Sequence, residues 1–141
     1  EEIQRRVITA AMDDDPNIPA LKVLIRTLSW EPVIPVEVFF NTGAVGGPSA
    51  GTMFVLEIIN QLTEDDLTHG LEVAGTGTID INENVGRVGG VYQKVIAAER
   101  RGAAYFLVPE DNYEEALSAA DDIKPVSIST LQDALDFLAS L

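Results

Sequence analysis

Gly43–Thr52, GAVGGPSAGT, followed by Met53–Ile59, MFVLEII, is the stretch on which the reading of this chain turns. It places four glycines, a proline and a serine between the apolar run VIPVEVFF at 33–40 and a second, nearly unbroken apolar run. Such a segment can cradle a phosphate, simply connect a strand to a helix, or present a nucleophile. A Walker loop needs a lysine and then a hydroxyl after its last glycine, and here Gly51 runs straight into Thr52. The dinucleotide fingerprint fails on spacing, with Pro48 in its middle, which leaves phosphate only the bare helix N-terminus. As a connection the segment is ordinary: glycines permit unusual backbone angles and Pro48 suits the start of a helix. Ser49 adds something a connection does not need. In the first turn of a helix its hydroxyl lies beside unpaired backbone N–H groups, where an oxyanion can be stabilised.

Outward from this turn, strands and helices alternate. EEIQRRVITAAM at 1–12 fits a short helix, broken by the acids and prolines of DDDPNIP. ALKVLIRTL at 20–28 and VIPVEVFF at 33–40 fit strands, with Pro35 marking a start or an edge. Ser49 to about Gln61 reads as a largely buried helix, and TEDDLTHG at 63–70 as a polar loop. LEVAGTGTIDI at 71–81 is β-prone, and NENVGRVGG at 82–90 turns the chain. GVYQKVIAAERRG at 90–102 is a helix closed by Gly102, with Arg100 and Arg101 in its last turn. AAYFLVP at 103–109 is a short buried strand. EDNYEEALSAA at 110–120 is a helix with Asp111 as cap and Glu114 three residues on. VSI at 126–128 is a strand, and a closing helix has Ser129 and Gln132 in capping-box spacing. The alternation predicts an α/β fold, or mixed α+β layers, built as one compact domain over residues 1–141.

Composition narrows the chemistry. The formal net charge of −14 repels phosphate backbones and anionic membranes, so nucleic acid is not an expected partner and no membrane contact by this domain is expected. The absence of cysteine removes disulfides, thiolate metal sites and cysteine nucleophiles. No apolar run approaches the roughly 18 residues of a membrane span. The chain begins EEIQRR, without an initiator methionine or signal peptide, which suggests a piece of a longer protein with an anchor or partner domain upstream.

A serine nucleophile requires a base. The one histidine, His69, stands in a polar loop beside Asp65 and Asp66, where a solvated role competes with a triad. The lysines are Lys22 at a strand start, Lys124 next to Pro125, and Lys94. In its helix Lys94 lies on the shoulder of the stripe formed by Val91, Val95 and Ala98. It is either a surface lysine snorkelling along that stripe or a buried amine. A free lysine titrates near 10.4, and desolvation lowers that by up to roughly 3–5 units, enough to make a buried one a base for Ser49.

GGPSAG around Ser49, AGTGTIDINENVGRVGG, and VYQKVIAAERRGAAYFLVPE together closely resemble the proteolytic domain of the Lon protease family. The resemblance runs from about Val36 to Glu110, more weakly to the end, and scarcely covers residues 1–20. It implies a Ser-Lys dyad, with Ser49 as nucleophile and Lys94, about 45 residues later in the Gly89-Gly90-Val91-Tyr92-Gln93-Lys94 context, as general base. It implies that Thr76 stands near the lysine, where its hydroxyl orients the amine. Backbone N–H groups near Gly47 and Ser49 are expected to hold the oxyanion, with Gly47 and Pro48 supporting the turn. Gly46 departs from the family, which usually carries an acid three residues before the serine. That departure, with AGTGTID, is similar to the PDZ-linked, ATPase-lacking Lon-like proteases. The expectation is therefore an ATP-independent serine endopeptidase that needs no cofactor or metal. Its substrates would be extended polypeptide, it would self-associate, and it would face outside the cytoplasm of a bacterial membrane. The alternative is a catalytically silent Lon-like domain serving as a peptide-binding or assembly module.

Overall fold

A computed structural model describes residues 47–141, all within the second of the two units into which the chain divides, Thr42–Leu141. The expected helix at 1–12, the strands at 20–28 and 33–40, and Gly46 lie outside the described residues.

The chain enters through a single 3-10 turn, Pro48–Ala50, and continues into α1, Gly51–Leu62. The β-prone stretch after the polar loop splits into β1, Val73–Gly75, and β2, Thr78–Ile79, interrupted at Thr76-Gly77. β3, Val85–Gly86, pairs antiparallel with β2 in a small hairpin. α2 covers Val91–Glu99, β4 Tyr105–Pro109, α3 Tyr113–Ala119, β5 Lys124–Ile128 and α4 Leu131–Leu138. β1, β4 and β5 form a parallel sheet in the order β1-β4-β5, with Ala74 opposite Phe106 and Phe106 opposite Pro125.

The period-two alternation of β4 sorts the core into two faces. Phe106 and Val108 pack with Val91, Val95 and Ala98 of α2, Ala116 of α3 and Ile123. Leu107 points the other way, against Leu56 of α1, Ile128, and Leu131, Ala134 and Leu138 of α4. The described residues thus make three layers: α2 and α3 on one face of the sheet, α1 and α4 on the other. A central parallel strand covered on both faces has no polar side, which is why AAYFLVP reads as a continuous apolar run.

Several local expectations are corrected. α1 is not largely buried: Thr52 and Leu56 are, while most of its other apolar residues are only half-covered, because it packs through one face. α2 ends at Glu99, so Arg100 is its C-cap and Arg101 lies beyond it. Gly102, at φ 85°, closes the helix by donating to the Glu99 carbonyl. Asp111 does not cap α3. A 3-10 turn, Glu110–Asn112, follows Pro109, the helix starts at Tyr113, and the cap position falls to Asn112, whose side chain bonds elsewhere. The capping box of α4 is Thr130 with Asp133, one residue after the expected Ser129 with Gln132. The Ser129 carbonyl accepts from the Val85 N–H, while its hydroxyl donates to Glu110 Oε2 at 2.7 Å.

Candidate active site

The glycine turn delivers Ser49 half-buried in the 3-10 turn that opens into α1, one residue after Pro48. Gly47 stands exposed at φ 91° and ψ 163°, a backbone region that favours glycine. Pro48 has no N–H, so oxyanion donors in this turn have to come from the amides on either side of it.

Two backbone hydrogen bonds fasten the turn to the break between β1 and β2. Gly77 N–H donates to the Ser49 carbonyl at 2.8 Å, and Thr52 N–H donates to the Gly77 carbonyl at 3.1 Å. The approach is close enough that a Cβ on Gly77 would stand 2.7 Å from Thr52 Oγ1 and 2.8 Å from Val85 Cγ1. Thr76, 3% exposed, donates its hydroxyl to the Ser49 carbonyl at 2.9 Å and its N–H to the Leu107 carbonyl. Ser49 is thereby held from its own backbone by two consecutive residues of the AGTGT stretch.

Lys94 reaches the same hydroxyl. Val91, Val95 and Ala98 are buried at 0%, 0% and 8% exposure, as the stripe requires, and half-buried Lys94 extends from its shoulder to donate from Nζ to Thr76 Oγ1 at 2.9 Å. A relay results: Lys94 Nζ to Thr76 hydroxyl to Ser49 carbonyl. The Lys94 head group is bound to a buried side chain rather than directed to solvent as a snorkelling lysine would be. Among the described residues no direct hydrogen bond joins Lys94 Nζ to Ser49 Oγ.

The other candidates fall elsewhere. His69 is exposed at φ 51° in a loop organised by Asp66, which accepts from the N–H groups of Thr68 and Gly70 and from the Thr68 hydroxyl. Those bonds hold the Asp66 carboxyl below its ordinary range, the Thr68 amide contributing most. The loop is tied to the far end of α1 by Leu67 N–H donating to Asn60 Oδ1. A 12-residue helix separates that end from Ser49 by about 18 Å, so His69 is not its base. Lys124 is exposed and lies over the Tyr105 ring, 5.8 Å from its centroid. A cavity lined by Met53, Leu56, Asn60, Leu67, Val73 and Leu138 lies along α1 toward this far end, away from the serine turn. No group of three or more metal-ligating side chains is gathered among the described residues.

Residues 31–138 match the family of the Lon protease (S16) C-terminal proteolytic domain, and the chain belongs to that family. It is 30% identical over 122 residues to "Lon protease 2" of Bacillus subtilis, covering 85% of this chain and 22% of that protein. It is 34% identical over 106 residues to "Lon protease homolog 2, peroxisomal" of Caenorhabditis elegans, covering 71% of this chain and 14% of the other. To "Lon protease" of Azospirillum brasilense it is 33% identical over 93 residues, 63% of this chain and 11% of that protein. The chain thus spans about a fifth or less of these relatives' length. Family and layered fold agree with the expectation from sequence.

Sequence reasoning missed Gly77 as the backbone clamp on Ser49, and it missed Asn112 and Glu115. Gly77 carried a signal in the glycines flanking Thr76. Asn112 with Glu115 three residues on carried the same capping spacing as Asp111 with Glu114, and the overlap masked it.

Proposed function

We propose that this domain is a serine endopeptidase that uses Ser49 and Lys94 as a dyad and requires no nucleotide. The supporting observation is the relay through Thr76, which brings both residues to within two hydrogen bonds of each other on one buried hydroxyl. In this reading Lys94, in its neutral form, takes the proton from Ser49 Oγ as the oxygen bonds to the peptide carbonyl carbon. The oxyanion is received by amides around Gly47 and Ser49 at the helix start. The ammonium then returns its proton to the departing amine as the C–N bond breaks, leaving an acyl-enzyme. Water, deprotonated by Lys94, releases the acid and restores Ser49. Thr76 orients the amine. The substrate is extended polypeptide, since its peptide bond has to lie flat across the turn. Self-association, a PDZ-linked parent protein and a location outside a bacterial cytoplasm complete the proposal by analogy of GGPSAG and AGTGTID with that branch.

The test is hydrolysis of an unfolded, fluorophore-labelled protein without nucleotide. Activity lost in both Ser49→Ala and Lys94→Ala supports the dyad, and activity surviving in either sinks it. The absence of a direct Ser49–Lys94 hydrogen bond favours one second reading, a silent peptide-binding module. A serine-directed electrophile separates the two, because only an active Ser49 becomes acylated.

A further inference from the structure

The helix that carries Lys94 lacks an N-terminal cap of its own. α2 follows Arg87-Val88-Gly89-Gly90, its N-cap is Gly90 at φ 69°, and no side chain within that segment satisfies its first amides. Two consecutive glycines give such a connection little stiffness. The missing groups come from the start of α3, more than 20 residues later.

Asn112 is 1% exposed, and its amide grips the connection at both polar groups of one residue. Its Oδ1 accepts from Val88 N–H at 2.9 Å, and its Nδ2 donates to the Val88 carbonyl at 3.1 Å. The same Nδ2 donates to Glu115 Oε2 at 3.3 Å, and Glu115 Oε1 accepts from Tyr92 N–H at 3.2 Å, in the first turn of α2. A carboxylate at this position satisfies an orphan donor and meets the positive end of the helix dipole. Val88, Asn112, Glu115 and Tyr92 form one continuous chain of hydrogen bonds, ending two residues before Lys94.

We infer that Asn112 and Glu115 are positioning residues for the Lys94 amine: they form a cap supplied by α3 that fixes the first turn of α2. This rests on the dyad reading above. Successive residues of a helix are separated by 1.5 Å of rise and about 100° of rotation, so loosening the first turn swings Lys94 away from Thr76 Oγ1, 2.9 Å distant. At the other end α2 is anchored independently, through Glu99, whose carboxylate accepts from the N–H groups of Asp122 and Ile123. Loss of the cap therefore displaces the lysine end of the helix while leaving its C-terminal end tied to the connection that precedes β5.

The experiment compares Glu115→Ala, Glu115→Gln and Asn112→Ala in the intact protein, with the exposed neighbour Glu114→Ala as control. Glu115→Ala is expected to lower kcat about tenfold or more, because small misplacements of a catalytic group have effects of that size. KM should stay within about twofold, as substrate contacts are untouched. Glu115→Gln keeps an oxygen for Tyr92 N–H, but its amide nitrogen then faces Asn112 Nδ2, donor against donor, so its kcat should fall between those of the unmutated protein and Glu115→Ala. Asn112→Ala should follow Glu115→Ala. An independent readout uses lysine labelled with 13C at Cε, the Lys94 signal being identified by its loss in Lys94→Arg. That signal should move in Glu115→Ala and stay in place in Glu114→Ala. An unchanged kcat together with an unmoved Lys94 signal in Glu115→Ala overturns the inference, as does a Lys94 signal that moves as far in Glu114→Ala as in Glu115→Ala. If Lys94→Ala retains activity, the dyad reading falls, and the Cε signal alone decides whether the cap positions the amine.

Discussion

The Thr76 hydroxyl has one proton to give and sends it to the Ser49 carbonyl, so Lys94 meets its lone pairs. Removing the hydroxyl takes away the partner of Lys94 and one of the two donors to the Ser49 carbonyl. Thr76→Val, nearly the same shape, should lower kcat by about 10- to 100-fold, the size of effect expected when a catalytic group loses its orientation. It should also reduce stability by about 1 kcal/mol, the usual worth of one hydrogen bond, since the Ser49 carbonyl keeps only the Gly77 N–H. Thr76→Ser should restore most of both, and comparison of kcat and urea midpoints for the pair checks it. A Thr76→Val protein with full activity would remove the relay from the mechanism. Gly75, one residue earlier, makes a purely steric prediction. A Cβ there would stand 2.6 Å from Met53 Sδ and 2.9 Å from the Leu107 carbonyl oxygen. The thioether can swing aside, but the strand backbone cannot. Gly75→Ala should cost about 1–3 kcal/mol by overpacking, read as a lower urea midpoint.

At the scale of elements, carboxylates accepting backbone N–H bonds recur at the joints. Asp133 Oδ2 receives the amides of Ser129 and Thr130 at 2.8 Å each, and Thr130 Oγ1 receives the Asp133 amide at 3.1 Å. The Ser129 amide first, then that of Thr130, holds the Asp133 carboxyl below its ordinary range, and the Asp122 amide does most of the same for Glu99. A folded-state pKa below the unfolded one gives stability that is complete above the ordinary carboxylate value, about 4, and is lost as pH falls through the lowered folded value. Melting temperature should therefore drop as pH is taken below about 4. Asp133→Asn should show a shallower drop over that window, and identical acid profiles for the two proteins would refute the assignment. Thr130→Ala should cost about 1 kcal/mol at neutral pH, the usual value of a lost N-cap.

For the whole molecule the questions are nucleotide dependence and assembly. The 141 residues contain no Walker pattern, so saturating ATP with magnesium should leave the melting temperature unchanged. A rise of several degrees would show a nucleotide site and overturn the ATP-independent reading. The three layers also explain where the site sits. Ser49 enters on the α1 side of the sheet and Lys94 arrives from α2 on the other, so they meet only where β1 breaks at Thr76-Gly77 and the sheet ends. A site of this kind depends on the spacing of the two helix layers rather than on any single loop.

The sequence by itself determined the elements and the candidates. The continuous apolar run AAYFLVP marked β4 as a buried strand, and the Val91–Val95–Ala98 stripe set the buried face of α2. These are local signals, set by side-chain period, and survive without knowledge of the neighbours. Ser49 and Lys94 were singled out as candidates by the resemblance of their surrounding motifs to a family. The caps of α3 and α4 were misjudged because two overlapping capping patterns compete in each case. The choice was made by distant backbone: Val85 N–H takes the Ser129 carbonyl, and Val88 captures the Asn112 side chain. The choice between a snorkelling Lys94 and a bound one was likewise open in the sequence. It was decided by a hydroxyl 18 residues away, which becomes its partner only when α2 packs against the sheet and the break after β1 turns Thr76 inward. A helical pattern fixes which face a lysine shares, but only tertiary packing determines what its last atom meets.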